Sequence, residues 1–567
     1  MIAMRFLAFF FILFTVPTFA QKEYPKDAFR PPLDIPLLLS GTFGELRSNH
    51  FHSGIDIKTQ QREGLSIFSV GDGYVTRIKV SPWGFGKALY IVHPNGYYTS
   101  VYAHLKKFSP EIEAYVKKIQ YERESYEVEI FPEPNEFKVS KGDLIAYSGN
   151  TGSSGGPHLH FEYRDSAQKP INPMHFGINI SDSKAPRVLG LFGYSIDDNA
   201  QINQSNVPIE IKLTQQGNGN FLAEKVYAEG KIGFGVNTYD QQDHTYNKNG
   251  VYAVEMMLNG QQHFSYDFEK FSFAETRFIN AFIDFERYRT EKERVQKLFI
   301  APKNPLSIYE TTVNDGILEI EEGQEYTIEI RISDFKGNKS TIRIPVEGKK
   351  QEVIEKTETL VTDNFLRASI DNNYEFEGCS VFFPANSFYE NFYIDIQKTD
   401  STLNIHHDKI PVHRNFTVSF DTSSYSEEER RKLYIARYDE EDNELVYEDT
   451  AKRGDVLSTK TRNLGVYTLA TDTISPKVTP INFKGDQWLT NYQYLKVKIE
   501  DLETGIANYR ATINGKWILM EYEPKKDMLS YDLRDLKSGS EEQNLKVIVT
   551  DNVGNSTTFT SKFYLKN

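Results

Sequence analysis

The chain has 567 residues, a formal net charge of −14 and a single cysteine, Cys379. The acidic balance argues against a nucleic-acid partner, because phosphate binding needs clustered Lys and Arg, and one cysteine excludes an intramolecular disulfide. Such a length exceeds a single core; at roughly 100–200 residues per domain it predicts about three to five domains, and an abundance of Phe (39) and Tyr (34) favours strands.

Met1–Ala20 carries one early cation, Arg5, then the apolar run Phe6–Val16, with small residues Thr18 and Ala20 at a signal-peptidase-like site. The run is short for a membrane span of roughly 20 residues. The expectation is a cleaved signal peptide over 1–20, a mature start near Gln21, no transmembrane span after cleavage, and export to the periplasm or the cell envelope and surface.

Residues 21–180 read as the first domain. Short β-branched and aromatic runs such as Tyr74–Val80, Ala88–Val92, Tyr97–Tyr102 and His158–Tyr163 alternate with turns at Gly71-Asp72-Gly73 and Pro94-Asn95-Gly96, the pattern of an antiparallel all-β domain. Within it, a segment of about 109–138 is an insertion: Ser109-Pro110-Glu111 looks like an N-cap followed by Pro at the first helical position, opening a polar helix to about Glu124. Because it follows His104, this insertion is expected to flank a substrate groove.

Three further units follow, over 185–348, 355–472 and 474–567. The first and last share a weak repeat: Asp240, Gly250-Val251, Asn259-Gly260 and Asp334-Phe335-Lys336-Gly337-Asn338 in one, Asp501, Gly505-Ile506, Asn514-Gly515 and Asp551-Asn552-Val553-Gly554-Asn555 in the other. Alternating strands before each closing Asp-x-x-Gly-Asn suggest an immunoglobulin-like β-sandwich used twice, with another β-sandwich between them. The 185–348 unit carries a helical insertion: Ser272-Phe273-Ala274-Glu275 reads as a capping box, and Phe278, Ile279, Phe282 and Phe285 are expected on one helical face. His406-His407 is expected in a surface loop, with adjacent side chains on opposite faces.

Chemistry concentrates in the first domain, which holds His50, His52, His93, His104, His158, His160 and His175. His158 and His160 are two apart on an expected strand and face the same side. His52 and Asp56, four apart around Gly54, share a face on a strand or converge across a turn. The Gly-rich stretch Gly149–Gly156 allows a tight turn and close approach to a substrate. Imidazole nitrogen mixed with carboxylate oxygen makes zinc the default metal, with an open position for water in a catalytic site. His50, His93 and Glu162 read as hydrogen-bond or ion-pair partners rather than ligands.

The ordered motifs His52-x-x-x-Asp56, Val70-Gly71-Asp72-Gly73-Tyr74-Val75, Gly84-Phe85-Gly86, Ile91-Val92-His93, Tyr102-Ala103-His104-Leu105, Ser148-Gly149-Asn150-Thr151-Gly152 and Pro157-His158-Leu159-His160-Phe161-Glu162 resemble the lysostaphin/LytM-type zinc endopeptidases of bacterial cell walls, over about residues 40–178. The resemblance implies that His52, Asp56 and His160 bind Zn2+ and that His104 and His158 are catalytic. It implies a zinc metalloendopeptidase acting on peptidoglycan stem-peptide cross-links. The sandwiches lie outside the resemblance, and their pattern alone points to other cell-envelope proteins as further partners. The fold expected is all-β: a Gly-rich antiparallel metallopeptidase domain followed by tandem immunoglobulin-like β-sandwiches. The alternative is a non-enzymatic or autoinhibited relative that binds or activates other cell-wall hydrolases; five intact site positions favour the enzyme.

Overall fold

A computed structural model describes residues 24–566, except 95–96, 135, 218, 357–359 and 538–540. The expected signal peptide, the start near Gln21 and the turn at Asn95-Gly96 lie outside the described residues. The chain is all-β, and its β-sandwich units follow a Gly-rich antiparallel domain.

In the first domain seven strands pair antiparallel in one sheet: β1 (Leu39–Gly41), β2 (Ile55–Lys58), β3 (Gly73–Val80), β4 (Ala88–His93), β5 (Tyr98–Ala103), β6 (Val128–Ile130) and β7 (His158–Arg164), in the order β1-β2-β7-β5-β4-β3-β6. Ile55, Ile57, Leu89, Ile91, Leu159 and Phe161 are fully buried beneath it. The central position of β7 follows from its sequence: six of its seven residues are buried, so it needs a neighbour on each side and finds β2 and β5.

The insertion forms the helix α1 (Pro110–Arg123), with Ser109 at the N-cap and Pro110 at its first position. In the structure it lies at one edge of the sheet. Its strand β6 pairs with β3, three strands away from β5, and its helix carries the last sandwich of the chain. Lys117 Nζ meets Asp535 at 2.8 Å, Arg510 meets Glu124 at 2.6 Å, and Tyr121 packs edge-on against Trp517 at 5.4 Å. Leu519 of that sandwich is buried in the core of the first domain. The reason is chemical: Ile112 and Val116 turn into the domain while Lys117, Tyr121 and Glu124 stay outward for a partner.

In the second unit the strand Val226–Tyr239 pairs antiparallel with Arg187–Ser195 over one half and parallel with Lys339–Gly348 over the other, so one strand joins both layers. Ile328, Ile330, Ile332, Ile342 and Ile344 are fully buried, as period-two alternation requires. The helical insertion corrects the single-face expectation: helices Ile279–Phe282 and Phe285–Glu291 are separated by extended Ile283. Ile279 and Phe282 enter the core, whereas Phe278 packs at its margin and also meets the tilted ring of His413 of the third unit, 4.3 Å away between centres. In the third unit two five-stranded sheets enclose Val381, Phe383, Phe416 and Ile435. His406 is also corrected: it is buried, has φ +53°, and stacks on His407 at 4.1 Å, because the left-handed backbone breaks the strand alternation that would have separated the rings. The fourth unit packs a four-stranded sheet on a five-stranded one around Val497, Leu529, Val547 and Phe563.

Leu519 anchors the last sandwich to the first domain. Leu519→Ala is expected to cost about 2–5 kcal/mol and to split one thermal transition into two in calorimetry; an unchanged melting profile would contradict this seam.

Candidate functional site

The site is built by register. His160 on β7 lies directly opposite Asp56 on β2 and Ala103 on β5, and directly paired residues project to the same face. His158, two residues earlier, shares that face. His52 precedes β2 across the bend at Ser53-Gly54, and a Cβ at Gly54 would stand 2.4 Å from Phe161 O and 3.0 Å from the His160 ring. Glycine is therefore what lets the two segments close. His104 follows β5 with φ +58°, a left-handed conformation that costs roughly 1–2 kcal/mol and swings its ring out of the strand alternation toward His158, 4.7 Å away between ring centres.

Each of the four imidazoles is fixed from outside. His52 Nδ1 donates to Thr42 O at 2.7 Å, His104 Nδ1 to Thr151 O at 2.8 Å, and His158 Nδ1 to Gly156 O at 2.8 Å. His160 Nε2 donates to Glu162 Oε1 at 2.9 Å. Carbonyl and carboxylate oxygens only accept, so the first proton of each ring sits on its outer nitrogen and, in the neutral ring, the inner nitrogen is bare. The inner atoms then converge: His52 Nε2 and His160 Nδ1 are 3.0 Å apart, and Asp56 Oδ1 is 3.1 Å from the first and 3.0 Å from the second. Three lone pairs facing one another at these distances call for a cation. A tetrahedral ion with ligands at about 2.0–2.1 Å would place its donors about 3.3 Å apart, so the set of two imidazoles and one carboxylate fits a divalent metal such as zinc.

Electrostatics agree with that fit. Burial pushes Asp56 upward, but His52, His158 and His160 outweigh it and hold the carboxyl well below its usual range. Burial pushes His160 downward, but bonds to Asp56 and Glu162 raise it to about 9; without a cation the ring takes a second proton on Nδ1, the positive charge that a metal at that atom would replace. Glu162, fully buried, is held at about 2 because Arg164 and His160 outweigh its burial. Burial, and then His160 and His158, push His104 down to about 3, so it is neutral at pH 7.

All five residues singled out in the sequence meet here: His52, Asp56 and His160 in the converging triad, His104 and His158 beside it, with His158 Nε2 3.4 Å from Asp56 Oδ1. His50 stays outside, bonded to Ser48 O, and His93 is tied to Asp72 O and Ser100 Oγ. Arg47 was not anticipated. Its Nη2 reaches Asp56 Oδ2 at 3.1 Å, occupying the oxygen that the histidines leave free. Thr42 and Thr151 act through backbone carbonyls, for which side-chain identity carries no signal. The Gly-rich loop is shaped by a close approach: a Cβ at Gly152, φ +71°, would meet Gly86 N at 2.3 Å and Gly84 O at 2.4 Å.

Two family models match parts of the chain. Residues 50–121 and 134–173 match Peptidase family M23, and residues 363–472 match a Zu5-like domain. The chain is 34% identical over 129 residues to the DD-carboxypeptidase/endopeptidase Mpg of Neisseria meningitidis, covering 23% of each chain. It is 30% identical over 169 residues to the peptidoglycan DD-endopeptidase ShyA of Vibrio cholerae, covering 29% of this chain and 33% of that one. The catalytic domain of lysostaphin from Staphylococcus simulans is 22% identical over 24% of this chain and 87% of that one, with a TM-score of 0.18. The chain thus spans about a quarter to a third of the length of these curated relatives.

Gly54 controls how closely β2 and β7 approach. Gly54→Ala is expected to lower metal affinity at least about tenfold, measured by competition with a chromogenic chelator; wild-type affinity in that variant would contradict the packing described.

Proposed function

With its first domain a member of Peptidase family M23, we propose that the chain is an exported zinc-dependent endopeptidase that hydrolyses peptide cross-links of peptidoglycan. The observation that carries this reading is the convergence of bare His52 Nε2, His160 Nδ1 and Asp56 Oδ1 beside two further histidines with bare Nε2 atoms. The name of the relative from Vibrio supplies the substrate class.

His52, Asp56 and His160 would hold the zinc. When bound, zinc lowers the pKa of a water from 15.7 to about 7 and polarises a carbonyl. The residues around it do the rest. Glu162 and Thr42 fix the tautomers of His160 and His52, so that both keep a lone pair turned inward. Arg47 neutralises the second oxygen of Asp56. His104 and His158, with their outer protons held by Thr151 O and Gly156 O, each turn a bare Nε2 inward: one would accept the proton released on attack, and only the ring so protonated would then donate to the oxyanion at the scissile carbonyl.

One contact favours a restrained variant of this reading. Lys525 of the last sandwich donates to Asn150 O at 2.5 Å and to Ser154 O at 3.0 Å, gripping the loop on both sides of Thr151, the residue that orients His104. The last sandwich would then set the position of a catalytic ring.

Purified chain on isolated sacculi, with released muropeptides weighed by mass spectrometry, tests the function. Wild type is expected to remove cross-linked species when zinc is present. His104→Ala is expected to keep its zinc and lose at least about a hundredfold in rate. Equal rates in the two proteins would contradict the assignment. A faster Lys525→Ala would identify the grip on the loop as a brake.

A further inference from the structure

A second convergence of oxygens lies at the seam between the first domain and the second unit. Asp182 comes from the linker, Asp240 follows the long strand Val226–Tyr239, and Asp334 opens the turn between Glu325–Ser333 and Lys339–Gly348. One carboxylate oxygen from each lies within 4.8 Å of the others. A cavity of about 30 Å³, room for one small occupant, is lined by Asp182, Asp240, Gln242 and Lys336 and, from the first domain, by Thr42 and Asn172; Asp334 meets the other two carboxylates beside it.

The surroundings leave buried polar atoms without partners. Among the described residues, no hydrogen bond reaches Asp240 Oδ1, Gln242 Oε1 or either end of the Asn249 amide. These residues are 3%, 5% and 2% exposed. Asn249 is the cross-strand partner of Asp240, with both backbone bonds at 2.8 Å, so the two side chains stand on one face. Gln242 is not part of the acidic triad, yet it lines the same cavity. Two ammonium groups of the neighbourhood are engaged elsewhere, Lys184 Nζ with Gln242 O at 3.0 Å and Lys336 Nζ with Asn179 Oδ1 at 2.8 Å. Leaving a buried amide oxygen unpaired costs about 1–3 kcal/mol, and uncompensated buried carboxylates cost more.

We propose that Asp182, Asp240 and Asp334, with the amide oxygen of Gln242, form a calcium site that fixes the second unit to the first domain. An all-oxygen donor set contributed by several segments is what calcium takes, whereas magnesium demands a strict octahedron and keeps its waters. Burial and the mutual repulsion of the carboxylates raise the proton affinity of Asp240 and Asp182, the response expected of acids that lack a counter-charge. The site also adjoins the catalytic machinery. Gly250, next to Asn249, bonds Thr42 Oγ1 through its N–H at 3.0 Å, and Thr42 O holds His52. Asp472, Asp501 and Asp551 repeat the triad in the last unit, where Asn555 donates to Asp551 as Asn338 does to Asp334 and Lys184 N–H to Asp182 in the first triad; there, however, Thr504 Oγ1 also donates to Asp472 and the Thr504 and Gly505 N–H groups to Asp501, and among the described residues the last unit leaves no buried side-chain polar atom unpartnered, so no proposal is made for them.

The test is calcium binding by equilibrium dialysis and thermal melting of the full chain, with zinc held saturating. Wild type is expected to bind calcium below about 1 mM and to melt about 3 °C or more higher with it. Asp240→Asn is expected to lose one equivalent and the shift, and Gln242→Ala to bind at least tenfold more weakly with its fold intact. Three outcomes would overturn the site: no calcium bound at about 10 mM, well above the weakest range for such modules; identical binding in all three proteins; or an Asp240→Asn variant that is more stable and indifferent to calcium, which would mean that the carboxyl groups share a proton around a buried water.

Discussion

Four imidazoles in one pocket present a problem of protons. Each ring has two nitrogens, and the pocket works only if the inner one of every ring is bare. The chain solves this with acceptors placed outside each ring: Thr42 O, Thr151 O, Gly156 O and Glu162 Oε1. Much of the first domain can be understood as holding those acceptors. Glu162 sits on β7 two residues beyond His160, buried and clamped by Arg164 at 2.6 Å. Thr151 is placed by the interlocked glycine turns at Gly84–Gly86 and Gly152. A metal then meets lone pairs that are already aligned, with no cost of reorientation when it binds.

The sandwiches are drawn into the same task. Phe43 and Phe51, on either side of the loop that leads to His52, are buried in the core of the second unit with Phe268, Phe271 and Phe282. The segment carrying His52 is therefore packed by a neighbouring unit as much as by its own. On the opposite side the last unit returns to the first domain through Leu519, the Lys87–Glu521 pair at 2.9 Å and Lys525 at the Gly-rich loop. Exposed ion pairs contribute little; here the Lys87 side chain is only 6% exposed while that of Glu521 is 43% exposed, so the contact serves mainly to keep a buried ammonium partnered. Two sandwiches thus bracket one site, and motion in either reaches a histidine through two or three contacts.

Much of this was legible in the sequence, and the limits have physical causes. Residue spacing gave the shared face of His158 and His160, because strand alternation is a local rule. The resemblance to the LytM-type family supplied the remaining members, which come together only through the pairing of β2, β5 and β7. Backbone acceptors such as Thr42 O were invisible, since a carbonyl carries no side-chain signature. Arg47 was missed because its partner Asp56 becomes its neighbour only when the hairpin Leu46–Phe51 folds back. The seat of the insertion against the last sandwich carried no sequence signal, because it depends on the edge pairing of β6 and on Lys117, Tyr121 and Glu124 meeting residues far away in sequence. His406 and the helix after Ser272 failed for a related reason: a left-handed residue in one, and an extended Ile283 in the other, interrupt the periodicity on which the reading depended.

The most direct test of the metal centre is X-ray absorption at the zinc edge on the purified chain. Two imidazoles, one carboxylate and a solvent ligand predict one equivalent of zinc with four nitrogen or oxygen donors at about 2.0–2.1 Å and outer-shell scattering from two rings. A six-coordinate oxygen shell, scattering from three or more rings, or a chain that retains no zinc after dialysis would contradict a centre built from His52, Asp56 and His160.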